Sequence, residues 1–371
     1  MAPKGKEKSI FERNPKSTIA IFTATLFLFL DFLLARVLLQ DHQARARLYR
    51  TQHSYYHHGL KESVSIRVSW GPERYKLVTN SLGLRSNEST NVKLQKDAKR
   101  RILVIGDSFT EGVGMSMDET FVGLAQNVLP NIELLNAGVV SYSPFLYYLK
   151  IKYLLEIVGL EVDEVIVYVD ISDIQDEVIY AREKFIPKLP TRQGLLGRAK
   201  TRMTDVFINN SLLCNVLLYR VYYPFRASST VTRSYDETRG ESVGINELME
   251  SRARWTWDDE TYQQWGKLGL LSARDNVSKI LNLCQARNVK VTLAIYPWPE
   301  QILKVDEIDR HRESWTVFAE EMGLDLIDHY PEFLVGAPSQ VIVSHFFEGD
   351  VHWNHRGHRV IADRLVRFLD P

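Results

Sequence analysis

Apolar positions fall into three patterns along this chain, and each implies a different environment. The first is an unbroken run over residues 17–39, STIAIFTATLFLFLDFLLARVLL, which carries fourteen Ile, Leu, Phe and Val side chains. As a helix it is long enough to cross the core of a bilayer. Asp31 in its middle costs roughly 3 kcal/mol on an insertion scale, but each large apolar residue returns roughly 0.3 to 0.6 kcal/mol, so insertion wins. The only small-residue triplet nearby, Ala44-Arg45-Ala46, lies in basic polar sequence and reads poorly as a cleavage site. The segment is therefore expected to stay as a single-pass anchor. Basic residues lie at both ends, Lys4, Lys6, Lys8, Arg13 and Lys16 before the run, Arg36 in its last turn, and Arg45, Arg47 and Arg50 after it. An N-terminal anchor followed by a long chain puts that chain outside the cytoplasm, in a periplasmic or extracellular space.

The second pattern starts at Arg101, where Ile102-Leu103-Val104-Ile105 closes on Gly106. A short continuous apolar run of this kind is expected of a strand buried on both faces in a parallel sheet. A helix is predicted over 118–129, a strand over 132–136, a helix over 144–158 and a second buried strand over 164–169. Residues 177–184 read as helix, 261–287 as a long amphipathic helix and 289–296 as a strand. A helix over 310–322, a short strand over 325–328 and a closing helix over 355–369 complete the series. This βαβ rhythm predicts an α/β fold, a doubly wound and mostly parallel sheet in a flavodoxin-like three-layer arrangement. Such sheets bind ligands at the carboxyl ends of their strands.

The third pattern is irregular. Residues 40–99 are polar, with histidines gathered in His53-Ser54-Tyr55-Tyr56-His57-His58; no Cys, Asp or Glu completes a ligand set with them, so a surface segment across the domain edge is the expected role. Residues 181–260 form an insertion with an apolar stretch at 212–225, expected as a cap over the ligand crevice. The domain plan is thus a basic segment 1–16, an anchor 17–39, a linker or edge segment 40–99, and a catalytic-type domain over 100–371.

Composition narrows the chemistry only slightly. Among 371 residues, 46 basic side chains balance 46 acidic ones, which gives no field that would favour nucleic acid. Two cysteines, Cys214 and Cys284, exclude a disulfide framework and leave either one bridge or two thiols.

Two motifs carry the candidate chemistry. Gly106-Asp107-Ser108-Phe109-Thr110-Glu111-Gly112 follows the first strand directly, which puts Ser108 in a tight turn at the crevice with helix-start N–H groups available to an oxyanion. Gly-Asp-Ser is a short pattern, and a serine in such a turn can equally be a cap. A nucleophile elbow would need glycine where Thr110 stands, and a phosphate loop would need a Gly-Lys-Ser/Thr ending. Near the other end stands Gly349-Asp350-Val351-His352-Trp353-Asn354-His355-Arg356-Gly357-His358. In an extended segment Asp350 and His352 project to one side, so the carboxylate can hold the imidazole tautomer and leave the other nitrogen free for a serine proton. His352, His355 and His358 could be read as metal ligands, but residues six apart diverge on a helix. His355 and His358 are expected in the first turns of the closing helix. Asp170, Asp173, Asp176 and Glu177 are expected as the acidic first turn of a helix rather than a cation site. Among the tryptophans, Trp298 in Tyr296-Pro297-Trp298-Pro299 ends a strand and is the candidate for stacking on a sugar.

At these residues the chain resembles the SGNH, or GDSL-type, hydrolases, with Ser108, Asp350 and His352 in the family's order. The resemblance implies Ser108 as nucleophile, His352 as base and Asp350 as its orienting carboxylate, with no metal and no cofactor. It also implies an oxyanion hole built from Ser108, from Ser141 in Asn136-Ala137-Gly138-Val139-Val140-Ser141, and from Ser172 in Asp170-Ile171-Ser172-Asp173. Ser141 stands where the family has glycine, and Ser172 where it has asparagine. Asp107, beside the nucleophile, is assigned with Trp298 to substrate binding. The spacing Asp-x-His-Trp resembles the SGNH domains of alginate-type O-acetyltransferases. It implies O-acyl, in particular acetyl, groups on an extracytoplasmic glycan as substrate. Hydrolysis is the first expectation; acetyl transfer, or a glycan-binding or scaffold protein without activity, are the alternatives.

Overall fold

The computed structural model describes residues 14–38, 46, 48–97, 99–189, 211–217, 252–304 and 308–370. The chain divides into two compact units, one formed by residues 1–48 and 191–236, the other by 49–190 and 237–371. In the first unit the helix Pro15–Leu38 has a mean hydropathy of 2.2 over Pro15–Ala35, long and apolar enough to cross a membrane. Ile19, Ile21, Phe22 and Leu28 are exposed on it. Asp31 is not left bare, because its Oδ1 accepts the Leu213 N–H at 2.8 Å from the first turn of the short helix Leu212–Val216. A helix start offers an unpaired N–H and a favourable dipole to such a carboxylate.

The second unit begins with two hairpins in the segment that its polarity marks as a linker. Strand β1 (Arg50–His53) pairs antiparallel with β2 (His57–Leu60), and β3 (Ser65–Trp70) with β4 (Glu73–Val78). All four residues of β2 are buried, so no inside–outside alternation betrays it. Arg85 N–H then donates to Asn136 C=O at 3.0 Å, which joins this segment to the sheet edge.

Five strands make the central sheet: β5 (Arg100–Ile105), β6 (Ile132–Asn136), β7 (Glu164–Val169), β8 (Lys290–Ile295) and β9 (Asp325–Asp328). They run parallel in the order β6-β5-β7-β8-β9. Their side chains alternate between two separate cores. Leu103, Ile105, Val165, Val167 and Leu293 pack with Leu146, Ala273, Val277 and Trp315 on one face. Ile102, Val104, Ile166 and Ala294 pack with Phe121, Val122, Ile361 and Leu365 on the other. Both faces being covered explains why these strands read as continuous apolar runs. In order of appearance the strands run 2-1-3-4-5, so the topological switch lies between β5 and β7, where the ligand crevice of such sheets opens.

Several elements differ from the expected ones. Residues 261–287 are not one regular helix: Asp259–Thr261 leads through a π-helical turn, Tyr262–Gly266, into Lys267–Gln285. The wide turn coincides with crowding, since a Cβ on Gly266 would meet Trp255 Cβ at 2.8 Å. The helix placed at 177–184 begins earlier, at Asp173. Three short helices, Pro299–Leu303, Tyr330–Phe333 and Pro338–His345, each start with proline in the first turn, a favoured position, but are too short to show a 3.6-residue period. The expected cap over 181–260 lies largely outside the described residues. Cys214 and Cys284 are free thiols.

Candidate active site

Ser108 opens the short helix Ser108–Glu111 immediately beyond the end of β5. The turn is tight: a Cβ on Gly106 would come within 2.1 Å of Thr110 Oγ1, so only glycine fits there. Asp107 caps the helix, its Oδ1 accepting the Phe109 N–H at 3.0 Å. Ser108 itself is buried at 7% exposure. The helix ends at Gly112, whose φ of 74° is left-handed, and the buried Arg85 guanidinium then donates to the carbonyls of Glu111 and Met115.

The second motif arrives from the far end of the chain. Asn354 caps the helix His355–Leu369 through Oδ1, and its amide donates back to the Ser344 and Phe346 carbonyls. This pins the turn that carries Asp350 and His352. His352 Nδ1–H donates to Asp350 Oδ1 at 2.6 Å, and His352 Nε2 accepts from Ser108 Oγ at 2.7 Å. Asp350 Oδ1 also accepts the His352 N–H at 3.2 Å, and its Oδ2 accepts Trp70 Nε1–H at 2.7 Å. Burial alone would lower the His352 pKa, but the adjoining Asp350 carboxylate outweighs it and holds His352 above its ordinary value. Burial would raise Asp350, yet His352 and the Trp70 donor hold it well below the usual carboxylate range. Phe109 packs at 4.6 Å from the His352 ring and Trp70 edge-on at 5.1 Å.

Beneath Ser108 lies a buried carboxyl cluster, Asp107, Asp170 and Asp173, with oxygens within 4.8 Å of one another. Protein donors surround it. Asp107 Oδ1 accepts the Tyr296 O–H at 3.3 Å, and its Oδ2 lies 3.1 Å from Ser108 Oγ. Asp170 accepts Ser172 N–H, Ser172 Oγ–H and Trp298 Nε1–H at 2.7, 2.5 and 2.6 Å. Asp173 accepts the Tyr147 hydroxyl and the Asp170 N–H, each at 3.0 Å. Burial, reinforced by Asp170, pushes Asp107 up to about 8, and the same causes push Asp173 well up. Like charges this close cannot all ionise in a dry site.

The residues assigned to an oxyanion hole are placed differently from one another. Ser108 N–H sits at the first position of its helix, where no intrahelical acceptor exists. Ser141 has a left-handed backbone, φ 59°, in the position aligned with glycine. Ser172 points elsewhere, since both its N–H and its hydroxyl are given to Asp170. The expectation of a side-chain donor from Ser172 to an oxyanion does not hold in this geometry.

The two residues expected to bind substrate are both buried. Trp298 is 1% exposed, packs on Phe109 and gives its N–H to Asp170. Asp107 is likewise buried and occupied as a helix cap. Trp353 of Asp-x-His-Trp lies under the site, 4.8 Å from Phe109 and 4.6 Å from Tyr296. His355 starts the closing helix and is exposed, whereas His358 is buried and its Nδ1 accepts the Phe121 N–H at 3.2 Å.

Sequence reasoning missed Trp70, Arg50 and His58, all from the hairpin segment. Arg50 makes a bidentate pair with Glu111 at 2.9 and 2.7 Å. His58 Nε2–H donates to Val140 C=O at 2.9 Å. The dense His-Tyr run was the only signal that this segment is more than a linker.

No family model matches the sequence, and no curated protein does. Among solved structures, the chain is similar to a member of the lipolytic protein G-D-S-L family from Veillonella parvula, at 14% identity and TM-score 0.39 over 73% of this chain and 100% of that one. It is similar to the psychrotrophic esterase EstA from a Pseudoalteromonas species, at 12% identity and TM-score 0.39 over 74% of this chain and 100% of that one. An acetylxylan esterase from Geobacillus stearothermophilus matches at 12% identity and TM-score 0.40, over 74% of this chain and 97% of that one. Likenesses of this size assign neither a family nor an activity.

Proposed function

We propose that this chain is a serine ester hydrolase of the SGNH type. One observation carries the reading: an unbroken hydrogen-bond chain from Ser108 Oγ to His352 Nε2 and from His352 Nδ1 to Asp350, joining residues 244 positions apart at the carboxyl end of β5. Ser108 attacks the ester carbonyl and gives its proton to His352, which Asp350 holds in the right tautomer. The tetrahedral oxyanion faces the Ser108 and Ser141 N–H groups. His352 returns the proton to the departing alkoxide, leaving an acyl-serine. Water then attacks that ester with His352 again as base; the acid leaves and Ser108 regains its proton.

The finer reading is an O-acyl, in particular acetyl, group on an extracytoplasmic glycan, reached by a protein anchored through residues 17–39. The apolar Pro15–Leu38 helix supports the anchor, and the Asp350-Val351-His352-Trp353 spacing supports the acyl-glycan class. Transfer to a sugar hydroxyl shares the first half-reaction and differs only in what meets the acyl-serine. A second reading, a glycan-binding or scaffold protein without turnover, is favoured by Ser172, whose donors are consumed by Asp170.

Detergent-solubilised full-length protein, incubated with an aryl acetate beside its Ser108→Ala variant, tests the proposal. Ser108-dependent release of acetate supports the hydrolase. Acetylated oligosaccharide detected by mass spectrometry supports transfer. Neither product, with Ser108 inert to a serine-directed phosphonate, would leave the binding reading.

A further inference from the structure

Residues 139–142 form a tight turn closed by the Tyr142 N–H donating to Val139 C=O at 3.2 Å. Its third residue, Ser141, has φ 59°, while Val140 has an ordinary φ. That combination is a type II turn, which wants glycine or asparagine at this position. Serine is more comfortable in type I, and the two types differ by a flip of the central peptide, the one joining Val140 to Ser141. A flip reverses the Ser141 N–H. Nothing in the serine side chain selects the observed form, so the selection must come from outside the turn.

The surroundings supply it. Val140 C=O and Ser141 N–H belong to the same planar trans peptide and point in opposite directions. His58 Nε2–H holds that carbonyl at 2.9 Å, and so aims the N–H. A carbonyl only accepts, so His58 carries its hydrogen on Nε2, and its Nδ1 accepts from His57 Nδ1–H at 2.7 Å. Burial, with His57 next, pushes the His58 pKa down to about 3, which keeps the ring neutral in this tautomer. The neighbouring peptides are tied as well. Val140 N–H donates to Glu111 Oε2 at 2.8 Å, and Tyr180 O–H donates to Ser141 C=O at 2.6 Å. Tyr142 O–H in turn donates to the His58 carbonyl, so hairpin and turn grip each other. Among the described residues the Ser141 N–H has no acceptor of its own.

We propose that His58 is the positioning residue of the oxyanion hole: by donating to Val140 C=O it selects the type II form of the turn and aims the Ser141 N–H at the oxyanion. The proposal rests on the hydrolase reading above. The histidine run of the hairpin thereby acts on the reaction through a peptide, without touching substrate or metal.

The test uses full-length protein and four chains: wild type, His58→Leu, Ser141→Gly, and the double variant. Their kcat and KM for an aryl acetate are measured with the rate of Ser108 labelling by an activated phosphonate, and thermal melts check folding. His58→Leu should lower kcat about 10- to 100-fold with KM little changed, short of the roughly 10²- to 10³-fold loss when an oxyanion donor is removed outright. Glycine is at ease in a type II turn, so Ser141→Gly should recover much of the loss in the His58→Leu background. His58→Gln, whose amide can still donate, should stay near wild type. Unchanged kcat in a folded His58→Leu chain, with Ser108→Ala dead, would overturn the positioning role and leave the hydrolase standing. No recovery in the double variant would also overturn it, because the loss would then lie in packing. Should His58→Leu fail to fold, Ser141→Val reads the same peptide: a β-branched residue favours the flipped form, and undiminished kcat there sinks the proposal. If wild type neither turns over nor labels at Ser108, the hydrolase reading fails and this role with it.

Discussion

The two sides of the candidate site are built on different principles. On the base side, Asp350 and His352 are two residues apart in one turn, where Asp350 Oδ1 also accepts the His352 N–H, and the 2.6 Å contact between them needs little more than that spacing. On the oxyanion side, the outcome depends on which way peptides and hydroxyls face. Ser172 gives both its donors to Asp170, and Ser141 holds an unfavoured backbone form under the grip of His58, Glu111 and Tyr180. Side chains close in sequence can settle their own geometry. A peptide orientation has to be imposed by elements distant in the chain.

The strongest way to break this contrast is to dismantle the base side. Ser108→Ala or His352→Ala should each lower kcat by about 10⁴- to 10⁶-fold, and the double variant should fall no further, because nucleophile and base act as one unit. Additive losses in steady-state assays would mean that the 2.7 Å contact is not a working pair.

Asp350→Asn comes next, with an expected loss of about 10⁴-fold, since a neutral amide can stabilise the wrong imidazole tautomer. Its pH profile is more telling than its size. His352 must be neutral to accept a proton, so kcat/KM rises with pH through the His352 pKa. That pKa is held above the ordinary value chiefly by the Asp350 charge acting against burial, so wild type should show an acid limb above about pH 6.5. In Asp350→Asn the limb should move to lower pH. An unmoved limb would separate Asp350 from the base.

A smaller effect is expected from Trp70→Phe, which removes the indole donor from Asp350 Oδ2. Losing a hydrogen bond to a carboxylate of this kind costs about 1.5 to 3 kcal/mol at most, so kcat should drop about tenfold. A fall in melting temperature without any change in kcat would reduce Trp70 to packing.

The smallest change sharpens the oxyanion side. Ser172→Ala should cost less than about tenfold in kcat, against the roughly 10²- to 10³-fold typical of a lost oxyanion donor. A larger loss would mean that Ser172 leaves Asp170 during the reaction.

Legibility in the sequence follows the same division. The strands β5, β7 and β8 announce themselves because both their faces are buried, and the helices Arg310–Met322 and His355–Leu369 because their apolar residues recur with helical period. The hairpins β1 to β4 stay hidden: β1 and β2 are only four residues each, with β2 buried throughout and so without alternation, and β3 is mostly half-buried or exposed. Trp298 illustrates the limit of reading by position: it does end a strand at the crevice, but its ring points into the core and its N–H to Asp170. The direction of a side chain past a strand end depends on neighbours that periodicity does not contain.

By itself, then, the chain's order of residues determines an apolar N-terminal helix, a doubly wound sheet, and an Asp350-His352 pair close enough to couple. These rest on local physics: burial sets the period, and residues two apart in the chain cannot lie far from one another. Only the tertiary structure decides that Ser108 meets His352, that Trp70 closes on Asp350, and that the buried carboxyls take the donors of Ser172 and Trp298. It alone decides the orientation of the Val140–Ser141 peptide. Each of these is a choice between conformers of similar local energy, made by hydrogen bonds to residues far off in sequence.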